Sequence, residues 1–463
     1  MDWRGRKVVV LGLGDTGLSM ARWLARRGAT VRVADTRAAP PRASELARAL
    51  PGVALSTGPF TGATLAGADG IAISPGIDRR TGPVARAARR GIPVVGDVEL
   101  FAQALQERAR REPTAARAKV LAITGSNGKS TVTAMTGDMC RAAGRATVVA
   151  GNIGTPVLDA LEAAGEAGMP EVFVLELSSF QLESTHSLEP AAATVLNITE
   201  DHLDRYDGLA DYASAKARVF SGQGAQVLNR DDARSLGMAC AGRAVTTFGA
   251  SAPRDASEWG IATGAARQLA HGERRLLDLR ELPLAGLHNA TNALAAMGLA
   301  HAIGLGHEPL VAALRGFRGL PHRMRRLAEI DGVTYFDDSK GTNVGATVAA
   351  LSGMDRPVVL IAGGDGKGQD FSPLAAAVQA RARAVVLIGR DAPQIARALA
   401  GCGIPVERAS DMEQAVHAAA RAAAAGDAVL LSPACASYDM FRDYIQRAER
   451  YAAAVHRLGG GRR

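Results

Sequence analysis

The 463-residue chain reads as an α/β protein of three domains. Three observations predict this. Apolar, strand-like runs alternate with amphipathic or alanine-rich helical stretches along the whole length, which implies mostly parallel sheets covered by helices on both faces. Glycine-rich turns follow the apolar runs where strands should end, and the length suits about three domains. Composition agrees: 47% of residues are hydrophobic and the mean hydropathy is +0.03, as in a protein with sizeable cores.

The first elements, "KVVVLGLG", "DTGLSMARWLARRG" and "TVRVADTR", form a βαβ unit. Gly12, Gly14 and Gly17 give it the G-x-G-x-x-G turn, and Asp35 ends its second strand at about the spacing of a ribose-binding acid. That is a Rossmann-like nucleotide unit, assigned here to residues 1–97, and it leaves open which nucleotide is bound. The helix "DVELFAQALQERARR" and a polar linker, "EPTAARA", lead to the strand "KVLAI" and the turn "TGSNGKST". Residue 123, where the full phosphate-loop pattern has its first glycine, is isoleucine. What remains is a shorter loop of Gly125, Gly128, Lys129 and Ser130 at the start of the helix "TVTAMTGDMCRAAG". Backbone N–H groups there face an anion, a lysine neutralises it and a hydroxyl reaches Mg2+. The central domain, 98–320, continues with "EVFVLEL", "AATVLNIT", "AQVLN" and the helical "NATNALAAMGLAHAIG"; the third, 321–463, alternates again through "VTYFDDSKGTN", "PVVLIAGGDGKG", "AVVLIGRD" and "DAVLLSPACAS". The ending "GGGRR" reads as a disordered tail.

The composition narrows the function classes. The N-terminus "MDWRGRKVVVLGLG" puts charges first and then an apolar run too short for a membrane span or secretory signal, so a cytoplasmic chain without membrane insertion is expected. Cys140, Cys240, Cys402 and Cys435 are scattered and are expected to be reduced core thiols rather than disulfide or zinc partners. The net charge of +8 raises nucleic acid as a partner, but arginines are dispersed and aromatics make up only 4%, which favours small anionic substrates instead. Of 54 basic residues only Lys7, Lys119, Lys129, Lys216, Lys340 and Lys367 are lysines. Lysines kept inside glycine- or acid-rich motifs are candidates for work a guanidinium cannot do, such as losing a proton or serving as a compact point charge.

Ligands of parallel sheets collect at the carboxyl ends of strands. Glu176 ends "FVLE", where a Mg2+-binding carboxylate would stand, or where a glutamate could cap the following "LSSFQ". His202 lies between Asp201 and Asp204 after another strand, as a metal or phosphate contact or a structural histidine. Asn152, Asn289 and Asn292 could bind ligands or cap helices. Lys340 and Lys367 could grip carboxylates, or pair locally with Asp338 and Asp365. At this level a phosphoryl-transfer enzyme, a nicotinamide-dependent oxidoreductase, a nucleic-acid-stimulated ATPase and a non-catalytic nucleotide module all remain.

The ordered set "TGSNGKST", "GNIGTP", "LELSSFQLE", "NITEDHLDRYDG", "GLHNATNA", "GLPHRM", "DDSKGTN", "GGDGKG" and "SPACASYDMF" resembles the Mur ligase family over nearly the whole chain. The resemblance implies an ATP-dependent carboxylate–amine ligase acting through an acyl phosphate, closest to the branch that adds D-glutamate to UDP-N-acetylmuramoyl-L-alanine. Other amino acids, or folylpolyglutamate synthesis, are the nearest alternatives. It implies that Gly125, Ser126, Asn127, Gly128, Lys129, Ser130 and Thr131 hold the ATP phosphates, and that Asn289, Asn292, Arg323 and Asp338 hold its adenosine. Two Mg2+ ions would be served by Ser130, Glu176, His202 and a carbamylated Lys216. Thr16, Asp35, Thr36, Arg37, Ser74 and Asn152 would bind the UDP substrate, and Lys340, Thr342, Lys367, Ser437 and Tyr444 the D-glutamate. A monomer is expected. Two residues depart from the family pattern: Asp15 in the first glycine turn, and Tyr444 where a phenylalanine is common.

Overall fold

The computed structural model describes residues 1–80, 82–112, 118–284 and 286–460. Most of the predicted linker and the arginines of the predicted tail lie outside them.

Three sheets stand in chain order. The first contains β1 (Lys7–Leu11), β2 (Thr30–Asp35), β3 (Leu55–Thr57), β4 (Gly70–Ile73) and β5 (Val94–Val95) in the spatial order β3-β2-β1-β4-β5, all parallel. The chain reverses its direction of winding between β1 and β4, so the crevice for a ligand opens beyond their carboxyl ends.

The second contains β6 (Lys119–Thr124), β7 (Thr147–Gly151), β8 (Val172–Glu176), β9 (Ala192–Val195), β10 (Ala225–Asn229), β11 (Val245–Phe248), β12 (Glu258–Ala262), β13 (Gln268–His271) and β14 (Arg274–Asp278). Its order is β14-β13-β12-β11-β10-β9-β6-β8-β7, with β6 at the switch point between β8 and β9. The antiparallel β12–β14 extension was not expected from the sequence. It follows from the short turn at Gly272, which has φ +53° and lets β13 fold straight back into β14.

The third contains β15 (Arg325–Ile330), β16 (Val333–Asp337), β17 (Val358–Gly363), β18 (Ala382–Ile388), β19 (Val406–Arg408) and β20 (Ala428–Leu431), ordered β15-β16-β20-β17-β18-β19. Only the β15–β16 pair is antiparallel within this sheet.

One continuous apolar core joins the first two sheets: Val8, Leu24 and Phe101 belong to the same buried cluster as Phe173, Leu175 and Tyr212. Phe101 meets Phe173 edge to face at 5.1 Å. The third sheet keeps its own clusters on its two faces. Its hydrogen bonds to the central domain come chiefly from the side chains of Lys340, Asn343 and Lys367. Cys140, Cys402 and Cys435 are buried as expected, but Cys240 is exposed, because the segment after the helix Ala233–Leu236 runs along the surface.

Candidate active site

The phosphate loop begins where β6 ends. Ile123 is a buried strand residue in register with Glu176 and Thr194, so the isoleucine belongs to the sheet and the loop starts at Gly125. Gly125 (φ +146°) and Gly128 (φ +84°) take conformations that side chains disfavour, and a Cβ on Gly128 would lie 2.5 Å from Asn292 Oδ1. Ser126 and Asn127 tie the loop to the chain after β9: Ser126 Oγ donates to the Thr199 carbonyl (2.9 Å), and the Asn127 N–H donates to Asn197 Oδ1 (2.8 Å). Gly128 caps the helix Lys129–Ala142, and Ser130 and Thr131 are buried in its first turn. The Lys129 ammonium curls back onto the Gly125 and Ser126 carbonyls at 2.8 and 2.9 Å. Burial lowers its pKa.

Glu176 terminates β8 beside this loop and is 1% exposed. It does not cap the next helix, whose Ser178 and Gln181 form their own capping box. Asn152 Nδ2 donates to Glu176 Oε1 at 2.7 Å, while buried Oε2 has no hydrogen-bond partner among the described residues. Asn152 therefore stands at the Glu176 carboxylate.

Lys216 is 1% exposed; its Nζ donates to the Gly125 carbonyl at 2.9 Å and lies 4.6 Å from the Tyr212 ring centre. Burial, reinforced by Lys129, pushes its pKa well down, so the amine is neutral far more readily than a surface lysine. His202 has φ +56° and packs edge-on against Phe180 at 4.7 Å. Burial and the surrounding Lys367, Lys129 and Lys216 lower it to about 4, which keeps the imidazole neutral with a lone pair to offer. Next to it, burial raises the Asp201 carboxyl, but Lys367 and His202 outweigh burial and hold it at about 2.

A cleft of about 260 Å³ lies between the loop and the third sheet, lined by Asn127, Asn289, Asn292, Arg323 and Asp338. Neither asparagine caps the helix Leu287–Ala302, whose N-cap is Gly286. Burial raises Asp338 to about 6, and its Oδ2 accepts from Ser432 Oγ at 2.8 Å. Arg323 Nε is buried without a partner among the described residues.

The third sheet delivers its lysines across the cleft. Lys340 Nζ donates to Ser130 Oγ at 3.1 Å, and the Lys367 ammonium pairs with Asp201, which also accepts from Asn343 Nδ2 at 3.3 Å. Neither ammonium pairs with Asp338 or Asp365; only the Lys367 backbone N–H bonds Asp365, at 3.0 Å. Burial and Arg323 lower Lys340 to about 8. Tyr444 flanks Lys340, with the ammonium 5.4 Å from its ring centre. Ser437 is 3% exposed, and the Thr342 N–H bonds the Lys340 carbonyl at 3.0 Å. Four of the six lysines thus gather around the phosphate loop.

At the first sheet, Gly17 packs on the Gly12 carbonyl so closely that a Cβ would sit 1.8 Å from its oxygen, whereas nothing lies within 4 Å of a Cβ on Gly14. The three glycines thus divide into a tight turn, an open approach for a diphosphate and close helix packing. Ser74 Oγ donates to the Gly12 carbonyl at 3.0 Å, and Thr16 stands half-buried in the first helical turn. Asp35 is buried, with Oδ2 accepting from the Leu13 N–H (2.7 Å) and Oδ1 from the Arg37 N–H (2.8 Å) and Nε (2.9 Å). Those bonds, led by the Arg37 side chain, hold it at about 2. Asp35 therefore presents Arg37, and exposed Thr36 beside it, to a ligand. Asp15 is exposed and paired with Arg42 at 2.6 Å, which answers its charge.

Sequence reading missed three supports of the site. Arg205 Nη1 reaches the Pro75 carbonyl (2.9 Å) and Nη2 the Ile77 carbonyl (3.1 Å) and Glu183 (2.8 Å), locking the first domain onto the second. Asn343 joins Asp201 as described. Arg447, fully buried, holds the Ser339 and Cys435 carbonyls at 2.7 and 3.0 Å and so fixes the loop that carries Lys340. In a chain with so many arginines nothing marks Arg205 or Arg447 apart.

Residues 6–96 match the Mur ligase MurD-like N-terminal domain, residues 123–300 the Mur ligase middle domain and residues 322–435 the Mur ligase glutamate ligase domain. The chain belongs to the Mur ligase family. Among relatives of this Mur ligase, the UDP-N-acetylmuramoylalanine--D-glutamate ligase of Thiobacillus denitrificans is 58% identical over 465 residues, covering 99% of this chain and 98% of that one. The ligase of the same name from Aromatoleum aromaticum is 56% identical over 459 residues, with 98% of each chain covered. Among solved structures, the UDP-N-acetylmuramate-alanine ligase of Thermotoga maritima has a TM-score of 0.60 at 20% identity and covers 99% of this chain and 100% of that one. A Mycobacterium tuberculosis folylpolyglutamate synthase scores 0.55 at 17% identity over 78% of this chain and 95% of that one; these two likenesses show the fold alone.

Proposed function

We propose that this Mur ligase joins D-glutamate to UDP-N-acetylmuramoyl-L-alanine with hydrolysis of ATP to ADP, a step of peptidoglycan precursor synthesis. One observation carries the chemistry: Lys340 of the third sheet touches Ser130 of the phosphate loop, so the cations of the acceptor side and the donors of the phosphate side form one site. The choice of amino acid rests on the 58% identity over 99% of the chain to a ligase named for D-glutamate.

A carboxylate is a poor acyl donor because its leaving group would be an oxide. In the proposed reaction an oxygen of the substrate carboxylate attacks the γ-phosphorus and the bond to the ADP oxygen breaks. The D-glutamate amine then adds to the acyl carbon and loses a proton, and the tetrahedral intermediate expels phosphate. Phosphoryl transfer needs charge clamps and alignment more than covalent catalysis. Residues 125–131 are assigned to the ATP phosphates, through Lys129, Ser130 and the N–H groups that open the helix Lys129–Ala142, since Asn197 takes the Ser126 and Asn127 N–H groups. Asn289, Asn292, Arg323 and Asp338 are assigned to the adenosine. Glu176, with an unpartnered buried oxygen, suits Mg2+, and Ser130 is assigned to the same ion as the loop hydroxyl. An ion bound there would neutralise phosphate charge.

His202 and Lys216 are proposed to serve a second ion. Carbamylation fits the lysine: a neutral Nζ adds to the carbon of CO2 and sheds a proton, turning a buried amine into a carboxylate-like ligand. Thr16, Asp35, Thr36, Arg37, Ser74 and Asn152 are assigned to the UDP substrate, and Lys340, Thr342, Lys367, Ser437 and Tyr444 to D-glutamate. Residues 1–97, 98–320 and 321–463 are the corresponding substrate, ATP and amino-acid domains of a cytoplasmic monomer. No helix of the described residues is long and apolar enough to cross a membrane.

The test is phosphate release with UDP-N-acetylmuramoyl-L-alanine and each amino acid in turn. Release only with D-glutamate is expected, abolished in Lys129→Ala and, for Lys216→Ala, partly restored by added formate. Equal use of L-glutamate, or preference for lysine or diaminopimelate, would reassign the chain within its family.

A further inference from the structure

The β13 end of the central sheet carries a second cluster of ligating groups that the ligase reaction does not use. His271 ends β13, His301 lies in the last turn of the helix Leu287–Ala302, and His307 opens the helix His307–Gly316. Their ring centres are 4.8, 5.1 and 5.0 Å apart, and one ligand nitrogen from each lies within 4.8 Å of the others. Three imidazoles around one tetrahedral zinc, with Zn–N of about 2.0–2.1 Å, also have ring centres roughly 5 Å apart.

The surroundings orient the rings as a metal site would. His301 Nδ1 lies 3.0 Å from the Leu305 carbonyl, which fixes the proton on that nitrogen and leaves the Nε2 lone pair free to ligate. His271 stacks flat on Trp259 at 3.9 Å with 6° between planes, and its ring is also hydrogen-bonded to the backbone of Ala256. His271 Nδ1 and His307 Nε2 are 2.9 Å apart and share one proton. All three residues are half-buried, so the cluster has an open side. Burial and the mutual proximity of the rings lower both His271 and His307, so their imidazoles are neutral at pH 7. The surrounding charge includes Arg274, which disfavours a cation.

We propose that His271, His301 and His307 form a binding site for a borderline divalent transition ion, zinc foremost, with a fourth position open to solvent. Binding needs no net proton release. The proton between His271 and His307 leaves His307 Nε2 for His307 Nδ1 through solvent, and the two facing nitrogens open from hydrogen-bond to ligand separation. The ion would staple β13 to the two helices and close the turn between them. The site is separate from the reaction: Asn292 lines the nucleotide cleft, and His301 follows nine residues later on the same helix, about 14 Å along its axis.

The experiment uses untagged, metal-free, full-length protein in excess Mg2+, titrated with Co2+ and then displaced with Zn2+. One equivalent of Co2+ should give the visible absorption of a tetrahedral ion, and Zn2+ should abolish it and raise the melting temperature. His307→Asn should weaken Co2+ binding at least about tenfold and remove the zinc-dependent melting shift, while its Mg2+-supported ligase rate stays at wild type. His271→Asn should do the same, and circular dichroism checks that each variant is folded. His202→Asn should leave the Co2+ spectrum unchanged, whatever it does to ligation. No tetrahedral spectrum, or one that persists in His307→Asn or disappears in His202→Asn, would overturn the site and leave the three histidines as a hydrogen-bonded cluster on Trp259.

Discussion

Replacing Arg205 with alanine tests whether a buried arginine of the second domain, paired with Glu183 of that same domain, holds the first domain in place through the Pro75 and Ile77 carbonyls. The side chains of Arg205 and Glu183 are 10% and 9% exposed, and the guanidinium also lies over Phe180, 4.1 Å from its ring centre. In Arg205→Ala the Glu183 carboxylate is left buried without its cation, and its Oε1 already has no partner among the described residues. Removing one member of a buried pair costs about 3–5 kcal/mol. The ring contact contributes about 1 kcal/mol more, and water entering the vacated space to reach the Pro75 and Ile77 carbonyls offsets part of the loss. A net loss of about 3–5 kcal/mol is expected, read from denaturant midpoints of the unliganded protein. Glu183→Gln keeps an acceptor and should lose less. In a double-mutant cycle the pair should show a coupling of about 2 kcal/mol. A loss under about 1 kcal/mol in Arg205→Ala would show that the shared apolar core and the other pairs between the domains, such as Arg22–Asp159 and Arg80–Asp211, hold them together without it, and additive single and double variants would show that Glu183 does not fix the arginine.

Asp97 is 1% exposed and burial raises it to about 6, so its contribution to stability is fully present below pH 4 and is lost as pH rises through 6. Asp97→Asn should match wild type near pH 4 and exceed it by about 3 kcal/mol at pH 8 in chemical denaturation; no gain at pH 8 would contradict this. Gly17→Ala should fail to fold or melt far below wild type, since its Cβ would meet the Gly12 oxygen at 1.8 Å. Gly14→Ala should melt within a few degrees of wild type yet raise the KM for the UDP substrate, and an unchanged KM would remove the diphosphate from that turn. Lys340, lowered to about 8, should lose its charge as pH rises through 8, so the KM for D-glutamate should climb above that pH while the KM for ATP changes less. Lys340→Ala should show the high value at every pH.

Local motifs were legible because each one encodes its own backbone geometry. The turn at Gly12–Gly17 and the loop at Gly125–Ser130 require glycines where φ is positive or a carbonyl approaches, and a composition poor in lysine marked the four that meet at the loop. What could not be read is which partner each lysine finds. Lys340 and Lys367 follow aspartates in sequence, and local pairing was a reasonable expectation, but β16 and β17 carry them to Ser130 and Asp201 of another domain. The histidine trio was missed for the same reason: it is assembled by the unexpected β12–β14 extension and two helix ends, with no short spacing to reveal it.

The partners found across the cleft also explain how a third domain with its own cores can belong to the site. Its hydrogen bonds to the central sheet at the cleft come from two ammonium groups and an asparagine. Such contacts exchange readily with substrate: the oxygens that Lys340 and Lys367 now meet, the Ser130 hydroxyl and the Asp201 carboxylate, are the kind of acceptor that a phosphate or a D-glutamate carboxylate would supply. An apolar seam like the one between the first two domains could not be opened for ligand entry without exposing its area to water, at roughly 25 cal/mol per Å². The division of labour between a fused apolar pair and a polar-bridged third domain is therefore what a ligase needs if its amino acid enters between the lysines and the phosphate loop.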